Sequence, residues 1–124
     1  MVAIRGKDTI PEVKVRSILH HAGYRFRLHH KGLAGKPDIV LSRYKTVIFV
    51  NGCFWHRHQN CRFASIPKTR TGFWASKFKK NEQRDRVVYD ILRKLGWQVI
   101  IVWECELGNI DMLSKRLRAL LFKK

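Results

Sequence analysis

Apolar residues recur at helical spacing through Val15, Ile18, Leu19 and Ala22, and Gly23 follows as a stop signal. Upstream, Thr9-Ile10-Pro11-Glu12 has the form of a capping box with proline in the first turn, so a helix starts there. The period then shortens. Tyr24 to His30 alternates like a strand, and Lys31 to Pro37 contains turn residues. Asp38 to Leu41 and Thr46 to Val50 read as two short apolar strands joined by a hairpin at Ser42 to Lys45. A polar and aromatic loop runs through Pro67. Helical spacing returns from Thr71, at Phe73, Trp74 and Phe78 and then Val88, Ile91, Leu92 and Leu95, and Gly96 closes that helix. Gln98 to Trp103 is a strongly apolar strand, and a final basic helix is predicted from about Ile110 to Phe122.

The predicted order is helix, three strands, helix, strand, helix. A helix between the third and fourth strands implies a crossover, hence an α/β protein with a mixed sheet and helices packed on its faces. A length of 124 residues suits a single domain covering 1–124, with no internal repeat and no linker. The apolar runs are far too short to span a membrane, and Arg5, Lys7 and Asp8 interrupt any signal-peptide pattern, so a soluble intracellular protein is expected.

Charge narrows the class of partner. Lys and Arg number 26 against 9 Asp and Glu, a formal net charge of +17. Such a surplus calls for a polyanion. Membrane attachment by charge concentrates it in a polybasic cluster or an amphipathic helix. Here it is spread along the whole chain, which favours nucleic acid over a membrane surface.

Several residues carry candidate chemistry. Cys53, His58 and Cys61 lie within one loop and Cys105 ends a later strand, a donor set suited to a closed, structural Zn2+ site, although the spacing matches no common zinc finger. The alternative makes Cys105 a buried apolar thiol. Asp38 opens an apolar strand directly after Pro37, where a carboxylate is a ready oxygen ligand for Mg2+; taken alone it reads first as a turn-former capping the Gly-Lys-Pro bend. Glu12 is explained by the capping box or serves as a second carboxylate near that metal. His56 has the side chain to accept a proton from water at neutral pH if Asp38 is close. Phe54 and Trp55 are adjacent, so both cannot bury in one direction, and with Trp74 they are candidates for insertion between base steps. Lys77 and Asn81 share a helical face with Trp74 and could read base edges, or form an ordinary solvated face.

Taken together, Gly35-Lys36-Pro37-Asp38, Ile48 through His56, Pro67 through Thr71, Phe73-Trp74, Arg84-Asp85, Gly96-Trp97 and Val102-Trp103-Glu104-Cys105 resemble the very short patch repair (Vsr) endonucleases. The resemblance runs from Met1 to about Leu107. It implies a restriction-endonuclease-like fold, divergent from the PD-(D/E)xK nucleases, with a zinc-stapled loop. The implied activity is Mg2+-dependent nicking of double-stranded DNA 5′ of the thymine in a T·G mismatch, which starts repair of deaminated 5-methylcytosine. By position, Asp38 and the Val50 carbonyl would hold Mg2+, His56 would be the general base, Glu12 would support the metal-water shell, and Asp85 would orient His56. Cys53, His58, Cys61 and Cys105 would hold Zn2+. Phe54, Trp55 and Trp74 would enter the base stack, with Lys77 and Asn81 reading the mismatch. The implied setting is a monomer in the bacterial cytoplasm, at the nucleoid, with mismatch-repair proteins as further partners.

The sequence departs from the family pattern in places. Asn51 replaces a histidine at the scissile phosphate, and an amide donates a hydrogen bond but supplies no proton. The zinc loop is longer by one residue between His58 and Cys61. The family has a longer N-terminal arm; Met1 falls near the place of its inserting methionine, so the expectation is a shortened start or a weaker grip offset by basic charge. A non-cleaving mismatch-binding module, or a related nuclease with another mismatch or sequence preference, are the competing readings.

Overall fold

A computed structural model describes residues 10–28, 32–53 and 69–121 of the chain. The elements follow the predicted order. Helix α1 spans Ile10–His21, strand β1 Arg27–Leu28, β2 Ile39–Leu41 and β3 Thr46–Asn51; α2 spans Thr71–Lys94, β4 Gln98–Trp103 and α3 Ile110–Leu120. Short 3-10 turns lie at Ser42–Tyr44 and Glu104–Gly108. The strands form one mixed sheet in the order β1-β2-β3-β4: the first two pairings are antiparallel and β3 with β4 is parallel.

Alternation along the strands divides the core in two. Ile39, Leu41, Ile48, Ile100 and Val102 face one side and pack with Val15 and Leu19 of α1 and with Leu113, Leu117 and Leu121 of the α3 segment. Val40, Val47 and Phe49 face the other side and pack with Tyr89 and Leu92 of α2. The protein is therefore built in three layers, with α1 and α3 beneath the sheet and α2 above it. Because β2 is covered on both faces, it reads as a continuous apolar run, and all its residues are buried.

Two expectations change. The first strand is only Arg27–Leu28 and both residues are exposed, because Tyr24 and Phe26 turn into the lower core instead of continuing the ladder; His29 and His30 lie outside the described residues. On α2, Ile91 and Leu95 are exposed, and Tyr89, absent from the predicted apolar series, takes the buried position with Phe78 and Leu92. The capping box at Thr9 also lies outside the described residues.

The length of α2 positions the site. Its 24 residues run about 36 Å at 1.5 Å per residue, whereas the 6 residues of β4 cover about 20 Å. In the β3-α2-β4 crossover the helix runs back against the strands, so its C-terminal half lies on the sheet. The N-terminal half overhangs the carboxyl end of β3. Gly96, with φ of +93°, ends the helix, as Trp97 N–H donates to the Leu92 carbonyl at 3.0 Å.

A second glycine seats the loop before β2. Gly35 has φ of +70°, and a methyl group there would overlap the Val88 side chain on α2. Gly35→Ala is expected to destabilise the fold by about 2–4 kcal/mol, combining left-handed backbone strain with overpacking. Urea denaturation measures it, and a loss below about 0.5 kcal/mol would contradict this packing.

Candidate active site and metal-ligand pair

The register of the sheet dictates what meets at its carboxyl end. Ile39 is opposite Ile48, so Asp38 emerges beside the end of β3. Its Oδ2 accepts a hydrogen bond from the Val50 N–H at 2.7 Å, a short charge-assisted contact that fixes the carboxylate. A strand residue sends its N–H and C=O to the same edge, so the Val50 carbonyl is directed to the Asp38 side, past the last β2 pairing. Asp38 thus bonds to the neighbouring strand, 12 residues along the chain. The structure places the Asp38 carboxylate against the Val50 backbone, through the Val50 N–H.

Asn51 ends β3 and is 5% exposed. Its Nδ2 donates to the Tyr89 hydroxyl at 2.9 Å. Burial pushes the Tyr89 hydroxyl up to about 12; the Asn51 hydrogen bond opposes this, Asp85 and Asp38 add to it, and Arg93 lowers it. Tyr89 is therefore neutral at physiological pH. Asp38 with Val50, and Asn51 with Tyr89, make up a polar cluster where α2 meets the end of β3. Tyr89 was missed by sequence reasoning; its only signal is that it falls one turn after Asp85 on the inner face of α2.

Glu12 is also buried, on α1 beneath the sheet, and it pairs with Arg16 at 3.2 Å one turn later. A carboxylate is rarely buried without such a partner.

The overhanging half of α2 carries the proposed mismatch-reading residues. Trp74 is half-buried and stacks on Phe78, with centroids 5.7 Å apart and an interplanar angle of 25°; Phe73 meets it edge-on at 5.2 Å. Lys77 is exposed beside the Phe73 ring, and Asn81 accepts a hydrogen bond from Arg84 at 3.3 Å. Trp74, Lys77, Asn81 and Asp85 follow at three- and four-residue intervals, so they form a continuous face from the helix start to the polar cluster.

Parallel pairing also explains how two distant cysteines meet. Asn51 is opposite Trp103, and the two chains continue abreast, so Cys53 and Cys105 arrive side by side. Cys53 is 0% exposed, and its Sγ accepts the Cys105 N–H at 3.4 Å. That contact holds the two cysteines at the same end of the sheet. Arg116 of α3 secures the turn that presents Cys105. It donates to both carboxylate oxygens of Glu106, at 2.9 and 2.8 Å, and to the Ile101 carbonyl at 2.9 Å, while Glu106 accepts the Trp103 N–H at 3.0 Å. Among the described residues no group of three metal-ligating side chains is formed. His58 and Cys61, like Phe54, Trp55 and His56, lie outside the described residues.

Residues 1–62 match the model of the DNA mismatch endonuclease Vsr family. The chain is 48% identical over 121 residues to the type II nicking enzyme V.XorIIP of Xanthomonas oryzae, covering 98% of this chain and 88% of that relative. It is 49% identical over 120 residues to the type II nicking enzyme V.NmeAIP of Neisseria meningitidis, covering 97% and 85%. It is also 45% identical over 114 residues to the DNA mismatch endonuclease Vsr of Escherichia coli, covering 92% and 72%. On this similarity and the match across half its length, the chain belongs to the Vsr family of DNA mismatch endonucleases.

Proposed function

We propose that this protein nicks double-stranded DNA 5′ of the thymine in a T·G mismatch, with Mg2+, and so starts short-patch repair of deaminated 5-methylcytosine. The observation that carries this reading is the approach of Asp38 to Val50 at the carboxyl end of β3, under the overhanging half of α2. On this reading the Asp38 carboxylate and the Val50 carbonyl would offer oxygen ligands to a hard cation. When bound by the Asp38 carboxylate and Val50 carbonyl, Mg2+ would draw charge from the scissile phosphate.

The chain's own groups do the remainder. His56 takes a proton from the attacking water, and Asp85 orients it. Asn51 donates an amide hydrogen bond to the phosphate but supplies no proton. Glu12 supports the water shell. Phe54, Trp55 and Trp74 enter the base stack, and Lys77 and Asn81 read the mismatch. Cys53, His58, Cys61 and Cys105 hold structural Zn2+, a role that fits the meeting of the first and last of these thiols. The reading includes a restriction-endonuclease-like fold and action as a monomer at the nucleoid of the bacterial cytoplasm, with mismatch-repair proteins as further partners. Among the described residues no helix is long and apolar enough to cross a membrane.

Incubation with duplexes carrying each possible mismatch, with and without Mg2+, tests the proposal. Nicking confined to T·G and dependent on Mg2+ is expected. Binding without cleavage would instead support the non-cleaving module, which the lack of an acidic proton on Asn51 favours. Cleavage of another mismatch would support a related nuclease with changed preference.

The net charge of +17 gives a second expectation. If roughly 6–10 phosphates are neutralised, duplex affinity should fall about 10³–10⁵-fold between 50 and 200 mM salt. Fluorescence anisotropy across a salt series measures it. A flat response would exclude a backbone-wrapping surface.

A further inference from the structure

The cluster contains a buried polar pair that the proposed chemistry leaves half used. Phe49 and Asn51 are two residues apart on β3, so both side chains project from the upper face of the sheet. The Tyr89 ring meets the Phe49 ring at 5.1 Å with an interplanar angle of 61°, and Arg93 lies 6.0 Å away over its face. Residues two apart on a strand are separated by about 6.6 Å, so a ring packed on Phe49 lies within one side chain's length of Asn51. The ring anchored at Phe49 therefore delivers its oxygen to Asn51, which it meets at 2.9 Å.

Stability alone does not call for such a pair. Two apolar side chains of similar shape would fill the same space without desolvating an amide and a hydroxyl. The pair also sits one residue along β3 from Val50, whose N–H holds the Asp38 carboxylate. We infer that Tyr89 is a positioning residue for the reaction: by accepting one N–H of Asn51, it holds the amide plane fixed and leaves the second N–H for the scissile phosphate. This inference rests on the proposed nicking activity.

Single-turnover nicking of a T·G duplex by the full chain tests it, comparing wild type, Tyr89→Phe, Asn51→Ala and the double variant. Phenylalanine keeps the ring against Phe49 and removes only the acceptor. Tyr89→Phe is expected to lower the rate at saturating enzyme about tenfold, with half-saturation unchanged. In the Asn51→Ala background the same change should lower the rate less than about twofold, because coupled residues are non-additive. An equal loss in both backgrounds, a loss of affinity alone, or a lower melting temperature with an unchanged rate would each overturn the positioning role. Wild-type protein that nicks no T·G duplex would overturn the proposed function and this inference together. An active wild type with additive losses would overturn the inference alone.

Discussion

Asp38→Asn is expected to reduce nicking of a T·G duplex by about 10³-fold or more while leaving the fold intact. The estimate follows from the several kcal/mol that a metal contributes to charge stabilisation, at 1.36 kcal/mol per factor of ten. Asparagine is the informative replacement. Its carbonyl oxygen still accepts the Val50 N–H that Asp38 Oδ2 now holds at 2.7 Å, so the strand end keeps its hydrogen bond and loses only the charge. Asp38→Ala should abolish nicking too, but it also strands the Val50 N–H, which costs about 1–3 kcal/mol. A quench-flow or gel assay gives the rates, and chemical denaturation gives the stabilities. Activity within about tenfold of wild type in Asp38→Asn would remove the carboxylate from the mechanism.

The second large effect concerns the cysteines. Removal of metal by a strong chelator is expected to unfold the protein or release the loop that begins at Cys53. Structural Zn2+ binding in small domains is worth about 10–16 kcal/mol, against a typical total stability of about 5–15 kcal/mol, so the fold would not survive its loss unchanged. Cys53→Ala should have the same effect and also leave the Cys105 N–H without its sulfur acceptor. Metal analysis should find about one zinc per chain in wild type and none in the variant. A metal-free preparation that melts at the wild-type temperature would contradict the site.

How much of this was legible in the sequence depended on locality. The strand Gln98–Trp103 and the helix from Thr71 were readable end to end, because an apolar run or a helical period lies between clear stop signals. Arg27–Leu28 was overestimated, since alternation cannot distinguish an edge strand from a segment whose aromatics turn under the sheet. The Asp38 and Val50 pairing followed only from family resemblance; spacing alone left Asp38 as a turn-former. The Asn51 and Tyr89 contact was invisible. It joins residues 38 apart through the angle at which α2 crosses the sheet, and no periodicity encodes that angle. The meeting of Cys53 with Cys105 was foreseeable once β3 and β4 were taken as parallel neighbours, because equal offsets from paired residues keep chains abreast.

The arrangement also shows why one helix serves both halves of the proposed activity. Its C-terminal half is fixed to the sheet by Tyr89 and Leu92, and its N-terminal half carries Trp74, Lys77 and Asn81 beyond the carboxyl end of β3. On the proposed function, the helix that carries the mismatch-reading residues is thereby tied to the strand that carries Val50 and Asn51. The most direct measurement of this account is the position of the nick in an end-labelled T·G duplex with Mg2+, resolved against a sequencing ladder. The account predicts one cut, on the thymine strand, on the 5′ side of the mismatched thymine. A cut on the guanine strand, cuts on both strands, or cleavage that ignores the mismatch would contradict it.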